Sequence, residues 1–171
     1  MTGTGPMVEI FDSRMEITNP GEPLVDTLRF IDTPPKSRNE TLAAMMRRMK
    51  ICEEAGTGID KVIEAVEAFQ LPAPDFTAIT TTQPGFTKAT LYAPRRLNDM
   101  DSKERIRACY QHACLCLVTG SRMTNTSLRN RFGIKPESSA QASRLIREAL
   151  KTQVIKLYDP DVRDQIGRAH V

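Results

Sequence analysis

The sequence predicts an α+β chain in two parts, and three observations carry that reading. Residues 8–18 and 77–92 alternate apolar and polar positions around turn-forming residues, the mark of half-buried hairpins. Between them, apolar residues recur at helical spacing. From residue 102 onward the pattern becomes helix, short helix, turn, helix, strand, with a surplus of basic residues. The first part is set at residues 1–94, a polar linker following Pro94 at 95–101, and the second part at 102–171.

Val8 to Phe11 is the first strand. Asp12-Ser13 makes the turn, and Met15 and Ile17 alternate with Arg14 and Glu16 on the second strand. Asn19-Pro20-Gly21 stops it, because proline cannot continue a ladder and glycine admits positive φ. Leu42, Met45, Met46 and Met49 fall at i, i+3, i+4 and i+7, a stripe expected to enter the core. Gly56-Thr57-Gly58 opens a second helix whose inner face is Ile59, Val62, Ile63 and Val66. Helix N-termini present unpaired N–H groups that suit anions, so this turn reads either as a plain helix start or as a phosphate cradle. Leu71-Pro72-Ala73-Pro74 ends that helix. Residues 77–82 and 86–92 form a second hairpin around Gln83-Pro84-Gly85.

In the second part, Asp101 and Glu104 fit a capping box for a long helix to about Val118. Thr124 or Asn125 caps a short helix carrying Leu128 and Phe132, which Gly133 ends. Ser138 with Gln141 fits a capping box for a third helix. Its inner face is Ala142, Leu145, Ile146, Ala149 and Leu150, leaving Ser139, Ser143, Arg144, Arg147 and Lys151 outside. Val154 to Tyr158 reads as a strand. This is the element order of a winged helix-turn-helix, whose third helix enters the major groove of DNA.

At 171 residues, with 40% hydrophobic and 26% charged, the chain can build a core but is too short for a motor enzyme with two large nucleotide-binding domains. Its apolar runs are short and broken by charge, so no membrane span is expected, and Met1–Pro6 lacks the features of a signal peptide. A cytoplasmic location is the default expectation. Residues 1–98 carry a net −2 and residues 99–171 a net +5, which directs any nucleic-acid partner to the second part. Cys52, Cys109, Cys114 and Cys116 form no CxxC pair. His112 and Cys116 share a helix face without a second ligand pair, so buried reduced thiols are expected rather than a metal site. Tyr110 and Phe132 are expected in the core, and His112 as a polar residue on its helix.

The string Val8-Glu9-Ile10-Phe11-Asp12-Ser13-Arg14-Met15-Glu16-Ile17-Thr18-Asn19-Pro20-Gly21, followed by Ser37-Arg38-Asn39 and by Glu53-Glu54-Ala55-Gly56-Thr57-Gly58-Ile59, resembles the C-terminal half of a divergent GHKL-type ATPase domain. Bacterial transcriptional regulators carry it, many of them labelled RecG-related ATP-dependent DNA helicases. Cys109-Tyr110-Gln111-His112-Ala113-Cys114, Asn125 to Gly133 and Ser143-Arg144-Leu145-Ile146 resemble the winged helix of the same proteins. The resemblance implies a partial GHKL-like α/β sandwich before the winged helix. It implies that Asn19 and Gly21 correspond to the adenine-holding turn, Gly56, Thr57 and Gly58 to the phosphate-lining turn, and Arg38 and Asn39 to the lid. An Asn in place of the family's Asp accepts a hydrogen bond without charge. The family's helix bearing a catalytic Glu and a magnesium-binding Asn has no counterpart before Val8. The chain is therefore expected to begin inside the domain and to hydrolyse nothing by itself; ATP and Mg²⁺ are expected only with the longer protein. No GxxxxGK[ST] loop supports a helicase motor. The closing string Ile166–Val171 resembles translated sequencing adapter, and the wing is expected to be incomplete.

The leading functional expectation is a DNA-binding module of a bacterial transcription regulator. Ser139, Ser143, Arg144 and Arg147 would face double-stranded DNA, with Arg129 and Lys151 near phosphates. The first part would then be a sensor or dimer surface, since a truncated sheet exposes an edge on which a second copy can pair. Two alternatives stand beside it: a fragment of an ATP-binding protein lacking its catalytic helix, and a protein-interaction module.

Overall fold

The computed structural model describes residues 5–52, 56–81, 85–159 and 162–168. Glu53–Ala55, the Gln83-Pro84 turn and Ala169–Val171 lie outside them. Two hairpin-like pairs build one sheet: β1 (Met7–Phe11), β2 (Arg14–Pro20), β3 (Asp75–Ile79) and β4 (Phe86–Tyr92), in the order β1-β2-β4-β3, all antiparallel. Cross-strand partners share a face. The register Val8↔Ile17↔Ala89↔Phe76 therefore makes one face apolar, with Ile10, Met15 and Leu91 beside it. The opposite face carries Arg14, Glu16 and Lys88, where Arg14 and Lys88 hold the Glu16 carboxyl below its ordinary range.

Among the described residues the apolar face is covered at its β3 end. Phe30, following a 3-10 turn at Thr27–Arg29, packs against Phe76 with the rings tilted and their centroids 5.6 Å apart. Ile31 and Ile63 are buried there, the latter on α2 (Gly58–Ala68). At the other end β1 is exposed along its whole length, with Ile10 80% exposed. The first hairpin thus forms in the expected register without the buried face expected of β1.

α1 (Glu40–Arg48) corrects a second expectation. Leu42, Met45 and Met49 are exposed, because no other element packs extensively on this helix among the described residues. The stripe has the spacing of a core face and no core to enter. Cys52, just beyond it, is likewise exposed rather than buried.

α3 (Ser102–Val118) is the spine of the molecule. Asp101 and Glu104 form its capping box as expected. Cys109, Ala113 and Cys116 face one core with Met123, Leu128, Leu145 and Ile155, while Cys114 and Leu115 face the other with Ile31 and Ile63. Burial on both sides explains why this helix shows little amphipathic patterning.

α4 (Asn125–Phe132) starts on a Thr124–Ser127 capping box and ends on Gly133, in the left-handed region at φ +63°. α5 (Ser139–Lys151) buries Ala142, Leu145 and Ala149. The capping box expected at Ser138 and Gln141 is absent: a 3-10 turn at Pro136–Ser138 runs straight into α5, and Gln141 instead donates to Asn98 Oδ1 at 3.1 Å. β5 (Ile155–Asp159) pairs antiparallel with β6 (Val162–Arg168), so Ile166, Gly167 and Arg168 of the closing string lie in register with Leu157, Lys156 and Ile155. No helix among the described residues is long and apolar enough to cross a membrane.

Large-to-small changes in a filled core cost far more than changes on an unpacked surface. Leu128→Ala should lower unfolding stability by roughly 2–5 kcal/mol. Met45→Ala should change it by only about 0.5 kcal/mol or less. Denaturant unfolding of both variants measures the contrast.

Candidate functional site

Two constructions stand out, a cleft in the first part and a buried polar seam behind it. The cleft has a volume of about 580 Å³ and lies between the chain leaving β2, the loop before α1, and the start of α2; Thr33, Lys36, Arg38, Gly56 and Ile59 are among its lining residues. Gly21, just before the lining residue Glu22, takes φ +105°; its N–H donates to the Gly85 carbonyl at 2.7 Å, and its own carbonyl accepts from Thr87 Oγ1 at 2.8 Å. A Cβ on Gly21 would stand 3.9 Å from Arg38 Nη2. The Arg38 guanidinium donates to the Glu22 carbonyl. Gly56 takes φ +64°, and a Cβ there would lie 2.7 Å from Pro35 Cδ, so only glycine lets the two loops meet.

Of the residues expected in a nucleotide site, Arg38 and Gly56 line the cleft; Gly21 does not, and lies next to the lining residue Glu22. Thr57 and Gly58 sit between the lining residues Gly56 and Ile59. Thr57 stands at the N-cap of α2 without a side-chain cap bond, and a Cβ on Gly58 would meet open space. Asn39 does not join them: it caps α1, accepting from Leu42 N–H at 2.9 Å. Asn19 sits on β2 opposite Thr87 and does not line the cleft. Lys36 and Thr33 are not singled out by the sequence. Lys36, two residues before Arg38, is open to that reading. Thr33 Oγ1, buried with no hydrogen-bond partner among the described residues, carries no signal.

The seam joins α2 to the helical part. Glu67, in the last turn of α2, accepts from His112 Nδ1 of α3 at 2.8 Å and pairs with Arg131 Nε of α4 at 3.4 Å. His112 Nε2 lies 3.0 Å from Ser127 Oγ and 3.7 Å from Cys116 Sγ. Carboxylate, imidazole and hydroxyl thus stand in the order of a hydrolase triad, but the proton directions are wrong for one. The Ser127 hydroxyl donates its only proton to the Thr124 carbonyl at 3.1 Å and accepts from Thr124 N–H at 2.9 Å. The raised pKa of His112 favours the imidazolium, whose two N–H groups match Glu67 and the Ser127 hydroxyl, so the ring suits a structural cation better than a base. Burial opposes that charge, but hydrogen bonds with Cys116 and Glu67 and the Glu67 charge outweigh it, raising the pKa to about 9.

Beside this cluster, Pro72 and Pro74 are fully buried. The carbonyls of this stretch are taken by long donors of the helical part. Arg131 Nη2 reaches Leu71 at 2.7 Å, Arg107 Nε reaches Ala73 at 3.3 Å, and Gln111 Nε2 reaches Pro74 at 2.8 Å. Burial pushes the Cys109 and Cys114 thiols up to about 12 and about 11, so neither is a nucleophile near neutrality. Among the described residues no group of three His, Cys, Asp or Glu side chains could hold a metal ion.

On the helical part, Arg144, Arg147 and Lys151 of α5 are exposed, as is Ser139. Ser143 is half-buried instead, its hydroxyl accepting from Asn125 Nδ2 at 2.9 Å. Arg129 folds back on α4, donating to Asn125 Oδ1 at 3.0 Å and Thr126 Oγ1 at 3.2 Å.

Comparison with known proteins bears on the first part. The family model HATPase_c_4, described as "Putative ATP-dependent DNA helicase recG C-terminal", matches residues 3–84. The matched stretch contains every lining residue of the cleft except Thr87. No curated protein sequence matches the chain. Among solved structures, the DIP2311 protein from Corynebacterium diphtheriae is similar at 12% identity and a TM-score of 0.41, over 92% of this chain; the chain spans 44% of that protein.

A histidine with a raised folded pKa stabilises the fold fully below its unfolded value of 6.5, and that contribution disappears as pH rises through about 9. The ring resonance of His112 should therefore titrate near 9 in the native protein. A midpoint near 6.5 would remove the imidazolium from the seam.

Proposed function

We propose that the cleft binds the phosphate groups of a nucleotide, and that the chain is a piece of an ATP-binding protein related to the family its first part matches. The observation that carries this reading is that Arg38 and Gly56, from two separate sequence motifs, line one cleft, with Gly21 of a third motif beside Arg38. Lys36 and Arg38 supply cations, Thr33 an unengaged hydroxyl, and the uncapped start of α2 its N–H groups, a donor set suited to phosphate oxygens. Glu22 is the one carboxylate among the lining residues. Hydrolysis by this chain alone is not included in the reading.

Charge-assisted hydrogen bonds contribute about 1.5–3 kcal/mol each, on the order of tenfold or more in affinity. Titration with MANT-ATP should show saturable binding. Lys36→Ala combined with Arg38→Ala should weaken it about tenfold or more at unchanged circular dichroism. Absence of binding at millimolar nucleotide, or an unchanged affinity in the folded double variant, would overturn the assignment.

A second reading concerns the helical part, where the order α3, α4, α5 and the β5–β6 hairpin fits a winged helix-turn-helix. Its support is the exposed row Arg144, Arg147 and Lys151 on α5, which makes no ion pair among the described residues. On this reading the helical part is a regulator's contact with double-stranded DNA. Fluorescence anisotropy with a random duplex should then fall steeply with salt, at a log–log slope of about −0.9 per phosphate contact. Arg144→Ala with Arg147→Ala should flatten that slope. A second copy pairing on the exposed β1 edge belongs with the same proposals.

A further inference from the structure

We infer that α2 couples the cleft to α4, so that a phosphate group seated at the start of α2 is felt at the Glu67–His112–Arg131 cluster. The inference rests on the phosphate-binding reading of the cleft and deepens it by assigning its output. α2 is one uninterrupted helix of 11 residues, about 16 Å long. Gly56 and Ile59 line the cleft at one end, and Glu67 lies in the last turn at the other. A carboxylate at a helix C-terminus is disfavoured by the helix dipole. It is held there because α3 and α4 each supply a buried cation, His112 at 2.8 Å and Arg131 at 3.4 Å.

The groups facing His112 are Glu67 from α2, Cys116 from its own helix and Ser127 from α4. Those facing Arg131 are Glu67, the Leu71 carbonyl and the ring of Phe132. Every charged contact of the cluster thus converges on the one carboxylate that α2 provides. Close-packed interiors transmit strain, and α2 is anchored by the buried side chains of Ile63 and Val66, Ile63 within the core that α3 also faces. Any displacement or tightening of its first turn by a bound phosphate is therefore carried to Glu67, and through Glu67 to the helix that precedes α5. Linkage makes the effect reciprocal: loosening Glu67 must alter affinity at the cleft.

The test uses the full chain with MANT-ATP as ligand. Hydrogen exchange of the wild-type protein should show altered protection over Asn125–Phe132 when the cleft is saturated. Glu67→Gln, which keeps the side-chain shape, should weaken MANT-ATP binding about threefold or more, although no cleft residue is changed. The chain has two histidines, His112 and His170, so the His112 ring resonance gives a third readout independent of the variant's stability, and its titration midpoint should move on nucleotide binding. If MANT-ATP binds while α4 protection and the His112 midpoint stay unchanged, the coupling is overturned and the phosphate site survives. If MANT-ATP does not bind, both fall together.

Discussion

Glu67 is the charged node of the joint between the sheet-bearing and helical regions of the molecule. A carboxylate mostly withdrawn from water is tolerable only with partners, and its partners come from two other helices. Removing one side of such a cluster leaves the remaining charges buried without compensation, which costs several kcal/mol. The constraint runs in both directions. Arg131, 4% exposed, could not be buried without Glu67, and burial lowers its pKa against the opposing pull of that carboxylate. Around this node the proline-containing stretch 71–74 offers carbonyls that Arg131, Arg107 and Gln111 satisfy. The orientation of α2 against α3 and α4 is thus set by directional bonds as well as by the apolar contacts of Ile63 with Cys114 and Leu115.

That orientation gives the cleft its position. α2 begins where the loop before α1 meets Gly56, and ends where the helical region takes hold of it. The sheet contributes Thr87 to the cleft and otherwise serves as a platform. Its apolar face is half covered, and α1 stands off with Met45 and Met49 in solvent. The chain therefore concentrates its packing along α3 and keeps the sheet region open around the cleft.

Much of this is legible in the sequence. Capping boxes announce α3 and α4 because their residues are local, three positions apart. The hairpins are legible because alternation and turn residues are also local. The three glycine and arginine motifs can be named, and two of them send a residue to the cleft lining, Arg38 and Gly56. What is not legible is long-range. His112 reads as an ordinary polar residue because its partners lie 45 and 15 positions away. The α1 stripe misleads because helical spacing reports an apolar face, not whether anything covers it. Ser143 looks like an outer residue by spacing alone, and only the neighbouring Asn125 shows that its hydroxyl is engaged. Asn39 reads as a lid residue and serves as a helix cap, a role its residue type fits equally well.

The central claim is that the seam binds α2, α3 and α4 into a single mechanical unit. Native-state hydrogen exchange across a denaturant series tests it most directly. Amides of α2 and of α3 and α4 should converge on the same opening free energy, with the same denaturant dependence. Exchange of α2 through openings far less costly than those of α3 and α4 would contradict the account.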